Sequence, residues 1–120
     1  MQVVVDTNVW LLYGRRRWDV LKELADQGHS PVLLQPVKDE LEKLSSGASS
    51  TAQAAKVALS LIRRKALNTL SGSARHADAA IVAYCGANGA AAATQDASLR
   101  RELRRQGIPV VTFHRSGKTS

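Results

Sequence analysis

Four carboxylates, Asp6, Glu40, Asp78 and Asp96, stand where chain geometry can bring them together. Asp6 ends the run Val3-Val4-Val5, and Asp96 follows the stretch Ala90–Thr94. If both stretches are parallel strands, both acids lie at the carboxyl edge of the sheet, where open α/β sheets gather ligands. Glu40 and Asp78 fall in the expected first turns of two helices that can point their N-termini at the same edge. Carboxylates crowded in this way repel, and their pKa values rise unless cations compensate. One or two Mg²⁺ or Mn²⁺ ions suit such a site, since they take oxygen ligands and keep several waters. Ions so held can activate a water nucleophile and neutralise charge on a phosphodiester during in-line attack. Helix N-termini add a favourable field for phosphate.

Each acid also has a purely structural role open to it. Glu40 and Asp78 can complement helix dipoles, and Asp96 can cap the helix that follows it. Asp6 is the hardest to explain in that way, because a carboxylate ending a buried strand is costly without partners. The case for chemistry rests on the four acids together.

The elements that must position them are legible from pattern. Val3–Val5 reads as a buried parallel strand, and Thr7 and Asn8 can cap the helix after it. Val9–Tyr13 reads as a short, mostly buried helix ended by Gly14. A second helix is expected from about Trp18 to Gln27, with Val20, Leu21, Leu24 and Ala25 as its apolar stripe. Val32–Leu34 reads as a strand, and Pro36 starts a helix that reaches Leu44. Ser45–Ser50 is a loop. Thr51 to Leu70 reads as one long helix, with Ala54, Ala58, Leu61, Ile62 and Ala66 on its buried side. Ala74 to Ala87 is a further helix and Asn88-Gly89 a turn. Ala90–Thr94 reads as a strand despite the poor strand propensity of Ala, because it sits between helices and small side chains suit a tightly covered central strand. Asp96–Gln106 is an amphipathic helix with Leu99 and Leu103 inside and Gly107 as its cap. Pro109–Phe113 is a last strand. This alternation predicts an α/β three-layer sandwich around a central, mostly parallel, four- or five-stranded sheet.

Composition bounds what such a sheet can serve. The chain has 120 residues, which suits one domain over 1–113 and a polar tail over 114–120. The net charge of +7 and pI near 10.2 favour an anionic partner, nucleic acid before a membrane surface. Four of only ten acids are assigned to the metal site, so the rest of the surface is more basic than the total suggests. Arg15, Arg16 and Arg17 are the favoured phosphate contacts, ahead of Lys56 and Arg63–Lys65 on the long helix and of Arg100, Arg101, Arg104 and Arg105 on the last. Trp10 and Trp18 can stack on bases, although Trp10 reads as core. His76 lies two residues from Asp78 and can assist proton transfer, although a surface role suits it better; His29 and His114 read as loop and tail. Cys85, the only cysteine, excludes an internal disulfide and reads as a buried thiol. No apolar run reaches the ~20 residues that span a bilayer, and no secretory signal is expected, so the expected compartment is cytoplasmic.

Taken in order, the motifs resemble a PIN-domain ribonuclease. The resemblance is carried by Val3-Val4-Val5-Asp6-Thr7-Asn8, by Asp39-Glu40-Leu41-Glu42-Lys43-Leu44 and by Ala77-Asp78-Ala79-Ala80-Ile81. It continues through Ala93-Thr94-Gln95-Asp96, Leu99-Arg100-Arg101-Glu102-Leu103 and Gly107-Ile108-Pro109-Val110. It spans Gln2 to Phe113 and is closer to archaeal proteins related to ribosome-biogenesis nucleases than to toxin–antitoxin members. The resemblance implies a metal-ligand and catalytic role for Asp6, Glu40, Asp78 and Asp96, with Mg²⁺ or Mn²⁺ bound. It gives Thr94 a part in shaping the pocket and makes Asn8 a polar neighbour of the site, as Thr7 is by position. Gln95 departs from the Asn common between the hydroxyl residue and the last acid, and Ala90–Ala93 is poorer in Val than the family's strand.

The expected activity is metal-dependent endonucleolytic hydrolysis of single-stranded RNA, with rRNA maturation as one setting. A toxin with an antitoxin partner is the alternative within the same chemistry, and a non-catalytic RNA-binding or ribosome-assembly factor is the alternative outside it. A phosphatase with an aspartyl nucleophile usually needs a second Asp two residues on, where this chain has Asn8. A homodimer is expected to be open to such a small domain, and no membrane association is expected.

Overall fold

The computed structural model describes residues 1–16, 19–72, 74 and 76–111. The tail 114–120 and the residues Arg17, Trp18 and Phe113, which carried sequence expectations, lie outside them. Strand β1 (Gln2–Val5) leads into helix α1 (Thr7–Arg16), followed by α2 (Val20–Asp26), β2 (Ser30–Leu34), α3 (Gln35–Leu44) and α4 (Ser50–Arg64). Then come β3 (Thr69–Leu70), α5 (Ala77–Asn88), β4 (Ala91–Ala93), α6 (Ala97–Arg105) and β5 (Val110–Val111).

The five strands form one all-parallel sheet in the order β3-β2-β1-β4-β5. The chain first winds outward from β1 through β2 to β3, then crosses to β4 and winds the other way. Right-handed crossovers taken in opposite directions put their helices on opposite faces. α1, α3 and α4 pack on one another, and α5 packs on both α6 and α3. The strand order reverses between β1 and β4, whose register pairs Val5 with Ala93. Parallel strands covered on both faces must be apolar throughout. Val3, Val4 and Val5 are accordingly buried, as are Leu33 and Leu34 of β2 and all three alanines of β4. Small residues at β4 let the covering helices close on the sheet, which is why a poor strand former holds a central place. No helix among the described residues is long and apolar enough to cross a membrane.

Several boundaries differ from the sequence expectation. Gly14 does not end α1; it lies inside the helix, which runs on to Arg16. A Cβ at Gly14 would stand 2.1 Å from the carbonyl oxygen of Ala54, so this glycine serves the crossing of α1 and α4. Helix α4 stops at Arg64 rather than Leu70. Beyond it Ala66 takes the left-handed conformation, φ 51°, with Ala66 N donating to Arg63 O and Leu67 N to Ile62 O. This paired closure satisfies the last carbonyls and turns the chain. It leaves Ala66 exposed rather than on the buried stripe and frees Thr69–Leu70 to pair with Leu33–Leu34 as the edge strand β3. Helix α5 begins at Ala77, not Ala74. Ala25 is exposed, while Val20, Leu21 and Leu24 of α2 are buried as expected. Glu40 is not in the first turn of α3, because that helix starts at Gln35 and Glu40 is one turn further on. Asp78 is in the first turn of α5.

Candidate active site

The apolar run of β1 forces its last ladder contact to the carboxyl edge, where Asp6 N donates to Ala93 O at 3.0 Å. The Asp6 carbonyl then accepts from Val9 N and Trp10 N and opens α1. Thr7 and Asn8 therefore do not cap this helix as expected: Thr7 is its first residue, and Asn8 Oδ1 instead accepts from Gln95 N at 3.3 Å. Asp6 is held at the strand reversal, only 5% exposed. Its Oδ1 accepts from Thr7 N at 2.8 Å and its Oδ2 from the Thr94 hydroxyl at 2.7 Å. Thr94, fully buried, also accepts from Asp96 N at 3.1 Å. Asp96 Oδ1 in turn accepts from Leu99 N at 2.8 Å and caps α6. A chain of hydrogen bonds thus ties the acid after β1 to the acid after β4 through one hydroxyl.

Burial pushes the Asp6 carboxyl above its ordinary pKa. The Thr94 hydroxyl and Thr7 amide pull it back, and the charges of Asp78 and Glu40 push it up again. Burial also raises Asp78, the charges of Asp96 and Glu40 add to this, and only His76 opposes it. Asp6 and Asp78 thus feel each other's charge or that of a shared neighbour, although Glu40, Asp78 and Asp96 are exposed side chains. As they stand, no three acidic, histidine or cysteine side chains among the described residues are drawn together closely enough to hold an ion.

The residues nonetheless fit a hard divalent cation in their chemistry. All four donors are carboxylates, no cation among the described residues acts on Asp6, and Thr7 Oγ1 is buried beside Asp6 without a hydrogen-bond partner. Oxygen-rich, negatively charged sites of this kind favour Mg²⁺ or Mn²⁺ over softer metals.

The cations are distributed differently from the acids. Arg15 and Arg16 are exposed in the last turn of α1. Arg15 is about 12 Å along the helix axis from Thr7, at ~1.5 Å per residue, and donates to Thr51 Oγ1 at 3.0 Å. Arg101 and Arg105 of α6 instead share a groove of about 650 Å³ with Asp78. That placement was not foreseen, although the spacing Ser98, Arg101, Glu102, Arg105 opposite Leu99 and Leu103 is a helical-face signal. Glu40 lines a separate recess of about 280 Å³ with Lys43 and His76. His76 is exposed at the N-cap of α5. Trp10, 1% exposed, belongs to the core. Cys85 is buried as well, with its thiol against Ala91 O at 3.4 Å and its pKa pushed up to about 11 by burial.

A five-stranded parallel sheet of this order defines a fold class, and comparison with known proteins agrees with it. The sequence profile of the PIN like domain family matches residues 3–116, and the chain belongs to that family. Comparison with curated proteins gives no match. Among solved structures, the backbone is similar to a chain of the VapBC2 complex from Rickettsia felis, crystallised bound to a DNA fragment from their promoter. The TM-score is 0.66 over 95% of this chain and 100% of that one, at 16% identity, a likeness of fold.

Proposed function

We propose that this protein is a divalent-metal-dependent endoribonuclease acting on single-stranded RNA. The observation that carries the reading is Asp6, a buried carboxylate at the strand reversal whose neighbouring charges are those of Asp78 and Glu40. Membership of the PIN like domain family supports it, through the nuclease activity that the family resemblance implies. Asp6, Glu40, Asp78 and Asp96 would hold one or two Mg²⁺ or Mn²⁺ ions. Such an ion, when bound, supplies an activated water and neutralises charge on the phosphodiester.

The chain's own groups prepare that chemistry. The Thr94 hydroxyl and Thr7 amide each hold one oxygen of Asp6, so its carboxylate is oriented before any ligand arrives. The Leu99 amide fixes one oxygen of Asp96, and Thr94 fixes that residue's backbone. The net charge of +7 draws RNA to the surface, the exposed Arg15 and Arg16 included, and speeds encounter. Hydrolysis forms a new P–O bond from water and breaks the bond to the 3′ oxygen. The products are a 5′-phosphate and a 3′-hydroxyl.

The test is cleavage of labelled single-stranded RNA by the wild type and Asp6→Asn, with Mn²⁺ and then with EDTA. Metal-dependent cutting by the wild type alone supports the reading; equal cutting by both, or binding of RNA without cutting under any metal, refutes it. The similarity to VapBC2 favours a protein partner of antitoxin type over a part in rRNA maturation. On that second reading, expression of this chain alone arrests growth and co-expression of a neighbouring small protein restores it.

A further inference from the structure

We propose that the groove between α5 and α6 is the subsite for a nucleotide flanking the scissile phosphate, with Arg101 as its phosphate contact. This deepens the nuclease reading and rests on it. The groove is about 650 Å³ in volume and includes Asp78, Ala79, Val82, Leu99, Arg101 and Arg105 in its lining. It is continuous with the acidic edge through Asp78, whose carboxyl feels the charges of Asp96 and Glu40. A strand whose phosphate reaches those acids therefore has this groove beside it.

The two helices give the groove a direction. Asp78 is in the first turn of α5 and Asp96 is the N-cap of α6, so both helices start at the acidic edge. Arg101 and Arg105 follow Asp96 by about 7.5 and 13.5 Å along α6, at ~1.5 Å per residue. Acids at the head and arginines further along are the arrangement that a metal-bound phosphate followed by a second phosphate requires. Ala79, Val82 and Leu99 supply an apolar surface between them, suited to a base or ribose face.

The arginines are not equivalent. Arg105 is occupied: its Nε donates to Glu102 Oε2 at 2.9 Å and its NH2 to Oε1 at 2.6 Å. This pairing and the bond from Gln106 lower the Glu102 pKa to about 2, so the carboxylate stays ionised and paired with Arg105. Arg101 is exposed and enters no salt bridge among the described residues. It is the cation in the groove with charge to give to a phosphate. This arginine, unpaired among the described residues, and the net charge of +7 over the whole chain favour RNA over a protein segment as the occupant.

The test uses the full chain and a fluorescently labelled single-stranded RNA. Affinity is read by anisotropy in EDTA across a salt series, and cleavage is read with Mn²⁺. Arg101→Ala is expected to weaken RNA binding about tenfold, the scale of one charged hydrogen bond. It also lowers the slope of log affinity against log salt by about 0.7, the single-strand value per phosphate. Arg101→Lys restores the slope. Ala79→Trp, on an exposed helical position, fills the groove and is expected to weaken RNA binding in EDTA and to raise KM for cleavage. Wild-type affinity and salt slope in both Arg101→Ala and Ala79→Trp overturn the proposal and leave the groove to a protein partner. Absence of RNA binding by the wild type overturns it too. If the wild type binds RNA without cutting, the nuclease reading fails, while the binding arm still decides the groove.

Discussion

Replacing Gly14 by Ala sets two effects of known sign against each other. In the middle of a helix, Gly→Ala stabilises by about 1 kcal/mol through propensity alone. At Gly14 the added Cβ would lie 2.1 Å from Ala54 O and 2.7 Å from Ala54 C and Cα. These are backbone atoms of α4, and they cannot rotate away. Real Cβ contacts essentially stop at 3.0 Å, so the helices must part by about 1 Å along their contact, an overpacking cost at or above the usual ~1–3 kcal/mol. The net expectation is a loss of about 2 kcal/mol. Gly86 provides the control: it lies in α5, is exposed, and a Cβ there meets nothing within 4 Å. Gly86→Ala should gain about 0.5–1 kcal/mol. Thermal unfolding of the three proteins decides the matter, with each kcal/mol worth roughly 3–6 °C for a domain of this size. Gly14→Ala should melt several degrees lower than the wild type and Gly86→Ala a few degrees higher. If both substitutions raise the melting temperature equally, the account of Gly14 as a spacer at the crossing of α1 and α4 is refuted.

Other outcomes follow from the same structure. Burial raises the Asp6 pKa, so the native state carries a penalty that is absent well below that pKa and complete above it. Asp6→Asn should therefore melt higher than the wild type at pH 7 without metal, with the difference fading toward acid; a lower melting temperature at pH 7 refutes the sign. Added Mn²⁺ should raise the melting temperature of the wild type by mass action and leave that of Asp6→Asn unmoved; an equal rise in both removes Asp6 from the metal site. Ala66→Gly should stabilise by about 1 kcal/mol, since Ala66 pays for a left-handed φ of 51° at a cap where Gly107 serves the equivalent place after α6; chemical denaturation measures it. The Cys85 thiol, buried with its pKa pushed up to about 11, should react with iodoacetamide only as the protein unfolds, which mass spectrometry of timed samples reads directly.

How much was legible in advance divides by the range of the interaction responsible. Val3-Val4-Val5-Asp6 announced a buried strand with a stranded charge because burial and β-branching act residue by residue. Asp96 could be foreseen both as a cap and as a site acid, and its Oδ1 does cap α6 while its backbone is tied through Thr94 to Asp6. The Leu99 and Leu103 stripe was readable from a period of 3.6. Gly14 was misread because a glycine that ends a helix and a glycine that admits a second helix look the same in sequence. The difference lies in Ala54, forty residues away. Ala66 hid the end of α4 for a related reason: alanine is the best helix former, and its left-handed turn is held by the paired amides of Ala66 and Leu67.

Residue types and their order already limit the chemistry available: carboxylates after strands and on helices, an excess of cations, and the alternation of strand and helix that puts residues after strands at one edge. They do so because residue type, charge and periodicity are local properties. Which groups share a surface follows from the folded arrangement. The reversal between β1 and β4 joins Asp6 to Thr94 across 88 positions, and the packing of α5 on α6 puts Arg101 in the groove that Asp78 also lines. Those neighbours are chosen by crossover handedness and helix packing, whose energies belong to pairs of distant segments and are written in neither segment alone.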